Sequence, residues 1–124
     1  MMAKQTAIES PPVNVYEANG QLTVAIPLPG AHHDTVSVDL EEGRLLVKAE
    51  GRYAQEQQHY LQHEWAVGSS HREVELPKPV RAAGAKAMLT HGILTVSLPI
   101  GSQESSERIR IPVSEPQVHQ GQPH

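Results

Sequence analysis

The 124-residue chain has a formal net charge of −4 from mixed signs with no basic block, which argues against nucleic acid as its main partner. It has no cysteine, so disulfides, thiolate catalysis and Cys-based zinc or iron–sulfur sites are excluded. Its 38% apolar residues, 10 Pro and 9 Gly suit a β-rich domain with polar ends better than a helical bundle, and with no Phe and one Trp its core must be built from Val, Leu, Ile and Ala packed on pleated surfaces.

The opening MMAKQTAIESPP is polar and ends in Pro11-Pro12, so residues 1–12 read as a short flexible N-terminal arm. It has no apolar run of signal-peptide length, and no segment of the chain is long and apolar enough to span a bilayer. Cytoplasmic residence without a membrane partner is the expectation. VNVYEANG then alternates from Val13 and Val15 to Asn19-Gly20, the strongest short hairpin signal. QLTVAIPLPG puts Leu22, Val24 and Ile26 on one face until Pro27, Pro29 and Gly30 stop the strand. TVSVDL does the same with Val36, Val38 and Leu40, and Glu41-Glu42-Gly43 turns the chain into RLLVKAEG.

Residues 52–68, RYAQEQQHYLQHEWAVG, are polar and mixed in period; they read as a long loop, a loop carrying its own strand at residues 60–65, or a short helix. HREVELP follows, then the Pro-flanked KPVRAAG, then AKAMLTHG and ILTVSLPI joined at His91-Gly92. Beyond the polar GSQESSER comes ERIRIPV, in which Ile109, Ile111 and Val113 alternate strictly. That is the period of a strand with one buried face, set in a tail with nothing of its own to bury it against. Short strands ended by turn signals, with no long amphipathic helix, predict an all-β, immunoglobulin-like antiparallel sandwich over residues 13–100, with flexible extensions at 1–12 and 101–124.

Several of these stretches resemble the small heat-shock protein (α-crystallin) family. HGILTVSLP, with Gly92, Ile93 and Leu94, looks like the family's G-x-L signature, and Ala87 matches the Ala upstream of it. GSSHREVELP is similar to the family's G-x-F-x-R-x-x-x-L-P segment at Gly68, Arg72, Leu76 and Pro77; Ser70 stands where Phe is usual, and Trp65 where Arg is common. IPLPG matches at Pro29 and Gly30, and IRI at 109–111 resembles the I-x-I/V tail motif. The likeness runs over roughly residues 13–113, although the arm is far shorter than usual for the family.

The resemblance implies an α-crystallin domain acting as an ATP-independent holdase that binds partly unfolded client proteins and prevents their aggregation. It implies a homodimer in which the loop strand, with Tyr60, Leu61 and Trp65, pairs with the partner's edge at Val13 and Val15, and in which Arg72 lies at the interface. It also implies higher oligomers through the tails: Ile109 and Ile111, or Ile111 and Val113, would dock in a neighbour's groove formed by Val36, Val38, Leu40, Ala87 and Leu89. Burying two Ile side chains yields roughly 3–6 kcal/mol gross, and ordering about five residues costs about as much, at roughly 1–2 kcal/mol each. Docking is therefore expected to be weak and reversible, with several linked tails acting through effective concentration. The alternatives are that residues 107–113 are one more strand of their own domain, and, for function, a p23-like co-chaperone or other non-catalytic sandwich binding one folded partner.

Chemistry of other kinds finds little support. No G-x-S-x-G, P-loop or dinucleotide fingerprint is present, and Ser69, Ser70 and His71 are strand neighbours pointing to opposite faces, so neither an enzyme nor a cofactor is expected. The chain has 8 His. His59 and His63 would converge on a helix face, but in a strand they stand ~13 Å apart and cannot chelate. His32-His33-Asp34 is a turn cluster able to catch a metal weakly; solvated histidine is the ordinary case, and no metal site is expected. Because free imidazole titrates at about 6.5, His59, His63 and His71 suggest a dimer that loosens in mild acid, which a dimer mass unchanged by acidification would rule out.

Overall fold

A computed structural model describes residues 8–50, 59–62, 64, 69–102 and 107–116. Among these residues, ten strands form two five-stranded sheets. In chain order they are β1 (Ile8–Glu9), β2 (Asn14–Ala18), β3 (Gln21–Pro27), β4 (Ser37–Glu41), β5 (Arg44–Glu50), β6 (Ser69–Glu75), β7 (Lys86–Thr90), β8 (Ile93–Pro99), β9 (Ile109–Ile111) and β10 (Val113–Ser114), with a 3-10 turn at His33–Thr35 before β4. The first sheet runs β1-β6-β5-β4-β9 and the second β10-β7-β8-β3-β2.

Turn chemistry sets the hairpins. The β2–β3, β4–β5 and β7–β8 connections each have two central residues at positive φ: Asn19 and Gly20 (55° and 76°), Glu42 and Gly43 (51° and 79°), His91 and Gly92 (54° and 78°). That is the type I′ pattern, whose twist matches the right-handed twist of paired strands. It holds β2 on β3 from Asn14↔Ala25 to Ala18↔Gln21, and β7 on β8 from Lys86↔Ser97 to Thr90↔Ile93.

The faces predicted from alternation are the buried ones. Leu22, Val24 and Ile26 on β3, Val38 and Leu40 on β4, Leu45 and Val47 on β5, and Leu94, Val96 and Leu98 on β8 are all within 2% of complete burial. Val80, in the Pro-flanked connection, joins this core and bridges to Ile100. Beside it, the Arg81 N–H donates to the Pro99 carbonyl and the Gly101 N–H to that of Pro79.

The folded unit is wider than residues 13–100. At one end β1 lies parallel on β6, Ile8 opposite Ser69 and Glu9 opposite Ser70, so part of the expected flexible arm is a strand. At the other, β9 and β10 return to the body. Of the loop at 52–68, only 59–62 and 64 are described, and none of these lies in a strand; Trp65 and His63 fall outside the described residues.

Candidate functional site: the groove closed by the tail

Without the tail, β4 and β7 would be the terminal strands of the two sheets on one side of the sandwich. Each would present unpaired backbone groups, the usual liability of a sheet edge. The tail closes both. β9 runs antiparallel to β4, with Ile109 opposite Leu40, Arg110 opposite Asp39 and Ile111 opposite Val38. After Pro112, which has no N–H to donate, the chain crosses to the other sheet, and β10 pairs parallel with β7, Val113 opposite Ala87 and Ser114 opposite Met88. The Ser114 hydroxyl donates to the Ala87 carbonyl at 3.3 Å.

Of the residues expected to form the groove, Val38 and Leu40 pair with β9 and Ala87 with β10. Val36, Val38, Leu40, Ala87 and Leu89 are buried in one continuous core, and Ile111 enters it at 3% exposure. The structure does not choose between the pairs Ile109/Ile111 and Ile111/Val113. Ile111 is the buried centre, with Ile109 half-buried on β4 and Val113 half-buried on β7. The docking occurs within one chain, as the alternative of an additional strand of its own domain anticipates.

Sequence reasoning missed the polar half of this contact. Strand alternation that turns Ile109 and Ile111 inward turns Arg110 outward, directly opposite Asp39. The Arg110 guanidinium pairs in a bidentate manner with the Asp39 carboxylate, through Nε to Oδ1 and through Nη2 to Oδ2 at 3.3 Å. Arg108 adds Nη2 to Glu41 Oε1 at 3.1 Å and a looser approach to Asp39 Oδ2 at 3.9 Å. Among the described residues Asp39 is one of two buried polar ones, at 7% exposure, and this partnership supplies the hydrogen bonds its carboxylate loses from water. The hydrogen bond from Arg110 to Asp39, with the Coulomb attraction behind it, raises the guanidinium pKa above its ordinary value. Two sequence signals were available: a lone Asp inside the apolar SVDLE, and basic residues alternating with Ile in ERIR.

Of the predicted dimer residues, Val15 on β2 and Arg72 on β6 lie on the opposite side of the sandwich. Val13 and Val15 are half-buried against the core, and β2, to which Val15 belongs, ends its sheet, with no strand beyond it among the described residues. Arg72 on β6 donates Nη1 to the Pro11 carbonyl at 2.9 Å, fastening the arm beside β1. Tyr60 and Leu61 are exposed, Leu61 at 94%. His59 and His71 are also exposed. No helix among the described residues is long and apolar enough to cross a membrane.

Comparison with known proteins agrees with this architecture. A sequence model of the Hsp20/alpha crystallin family matches residues 14–114. The chain is 28% identical over 102 residues to the peroxisomal 15.7 kDa heat shock protein of Arabidopsis thaliana, covering 76% of this chain and 74% of that one. Among solved structures, heat shock protein 16.0 from Schizosaccharomyces pombe superposes with a TM-score of 0.69 at 26% identity, covering 82% of this chain and 75% of that one. A small heat-shock protein from Xylella fastidiosa, described as having a distinct high order structure, superposes with a TM-score of 0.68 at 29% identity, covering 85% and 98%. The all-β sandwich, the tail strand and the family match over most of the chain lead to one conclusion: this protein belongs to the Hsp20/α-crystallin family of small heat-shock proteins.

Proposed function

We propose that this chain is an ATP-independent holdase whose groove between β4 and β7 alternates between its own tail and exposed segments of unfolding proteins. Family membership supports a chaperone role in general, and small heat-shock proteins are generally non-catalytic. The observation that carries the finer reading is the closure of the groove by a short segment holding one fully buried apolar residue, Ile111. A contact of that size is reversible by the balance of burial against chain ordering. On release, two adjacent sheet edges and the side chains of Val38, Leu40, Ala87 and Leu89 become available for β-strand addition. A p23-like module binding one folded partner has no need of such a plug.

The test is light scattering from a heat-labile enzyme warmed without ATP, with the wild type and with Ile109→Ala/Ile111→Ala. Suppression by the wild type, and at a lower molar ratio by the variant, is the expected result. Aggregation undiminished by either form overturns the holdase reading.

We extend the proposal to assembly. The same tail contact made between subunits would build oligomers, and the loop with Tyr60, Leu61 and Trp65 would add a strand to the partner's β2 at Val13 and Val15, near Arg72. The terminal position of β2 and the exposure of Leu61 support this arrangement. Because the chain has no native cysteine, Asn14→Cys/Leu61→Cys offers a direct check. Oxidation should give a covalent dimer on a non-reducing gel, and an exclusively monomeric product overturns strand exchange onto β2. Cytoplasmic residence is likewise proposed, against relatives named as peroxisomal and mitochondrial; organellar localisation of a fluorescent fusion overturns it.

A further inference from the structure

The tail brings one more group to the body than its apolar and arginine contacts require. Beyond β10, Glu115 reaches the turn that precedes β4, where its Oε2 lies 3.8 Å from His33 Nε2. One donor atom each from His32, His33 and Glu115 fall within 4.8 Å of one another. The two imidazole rings stand side by side, with centroids 4.7 Å apart and planes tilted by 32°.

We propose that His32, His33 and Glu115 form a surface site for a divalent, imidazole-seeking metal ion such as Zn2+, complete only while a tail occupies the groove. Two imidazoles and one carboxylate are a donor set that zinc uses with a fourth position left to water. Around a tetrahedral ion with bonds of about 2.0–2.2 Å, neighbouring donors stand roughly 3.4 Å apart. The His33–Glu115 separation is already near that value, and modest rotation of exposed side chains closes the remainder.

The turn is prepared for this role. The Asp34 carboxylate accepts from His32 Nδ1 at 2.8 Å, a much shorter contact than the 3.4 Å approach of the Asp34 N–H to the same nitrogen. A carboxylate can only accept at the short contact, so the Nδ1-protonated tautomer fits it and offers Nε2 as the ligand, as in the carboxylate–histidine–metal arrangement. Thr35 holds the backbone beneath: its hydroxyl lies 2.8 Å from the His32 carbonyl and 2.9 Å from that of Glu50, and its N–H donates to the His32 carbonyl at 2.8 Å. The two histidines thus sit on a turn tied to β5, whereas Glu115 arrives only with the tail. An ion bridging them binds the docked state better than the open one and shifts the equilibrium toward closure by that difference. The inference rests on the docked tail alone and is independent of holdase activity.

The test is calorimetric titration of Zn2+ into the full chain, together with amide exchange at Ile111 and Ser114. The expected result is one dominant site whose occupancy slows exchange at both amides. Binding should be lost in His32→Ala/His33→Ala, weakened about tenfold or more in Glu115→Gln and in Asp34→Asn, and unchanged in His119→Ala/His124→Ala. The side chains of His32, His33, Asp34 and Glu115 are all at least 36% exposed, so their substitution keeps the fold, which circular dichroism verifies. Absence of Zn2+ binding by the wild type, binding that survives loss of His32 and His33, or equal affinity in Glu115→Gln would each overturn the site. Zinc that binds without slowing exchange in β9–β10 overturns its link to the tail.

Discussion

The two sides of the sandwich treat the same problem differently. On the β4/β7 side both sheet edges are capped by one continuous segment that combines a buried Ile111, two half-buried neighbours and an arginine pair on Asp39 and Glu41. On the β2/β6 side, among the described residues, the first sheet is extended by the two residues of β1, held next to the Arg72–Pro11 hydrogen bond, and the second ends at β2. A closed edge resists pairing and an open one invites it. The contrast therefore separates the two sides by role, one regulated by a plug and the other available to a second copy. It also orders the expected effects of substitution, since a residue shared by both sheets must cost more than a residue of a detachable plug.

Leu94→Ala sets the scale. Leu94 is fully buried on β8, the centre of its sheet, so its truncation leaves a cavity that no local opening relieves. A loss of about 2–5 kcal/mol in denaturant unfolding is expected. Ile111→Ala removes a side chain of similar size and nearly equal burial, yet its cost is capped. Once docking fails, the tail leaves and the remaining strands stay folded, so the global loss stops at the net docking free energy, about 1 kcal/mol. The accompanying signature is lost amide protection in β9 and β10 with protection in β8 intact. If Ile111→Ala proves as costly as Leu94→Ala, the tail is an integral strand and cannot pass between subunits. On the other side, Arg72→Ala removes a single part-buried hydrogen bond to the Pro11 carbonyl and should cost about 1 kcal/mol or less. Faster exchange at Ile8 and Glu9 would identify the arm as the element released; exchange unchanged there would mean that β1 is held by its own pairing with β6.

Much of this contrast was legible in the chain. Asn19-Gly20, Glu42-Gly43 and His91-Gly92 marked the hairpins because the turn type demands residues that tolerate positive φ. The alternation of Leu22, Val24 and Ile26, and of Val36, Val38 and Leu40, marked buried faces because side chains repeat every two residues in a strand. The groove came from the family resemblance; spacing alone showed only that Ile109, Ile111 and Val113 sought a surface. What local pattern could not supply was register across long separations. Asp39 opposite Arg110 and Glu115 beside His33 are pairs created by tail docking; SVDLE and ERIR each carried a local hint, but no local pattern joined the partners across 71 or more residues. The pairing of β1 with β6 was hidden for a related reason: Ser69 and Ser70 carry no apolar signal for Ile8 and Glu9 to answer.

The smallest effect separates the two halves of the plug. Raising salt from about 0.1 M to about 1 M shortens the screening length from roughly 10 Å to 3 Å. Arg108 and Arg110 are more than half exposed, so their attraction to Glu41 and Asp39 is open to that screening, although the bidentate geometry and the burial of Asp39 preserve part of it. Salt acts on Ile111 in the opposite sense, since excluded ions strengthen apolar burial. In the wild type the two responses oppose, and the ionic one should prevail, with exchange at the Arg110 and Ile111 amides quickening about twofold. In Arg108→Ala/Arg110→Ala only the apolar response is left, so exchange starts faster and then slows or holds steady as salt rises. Identical acceleration in both proteins would show that Asp39 and Glu41 contribute nothing to docking and that Ile111 and its neighbours alone hold the groove shut.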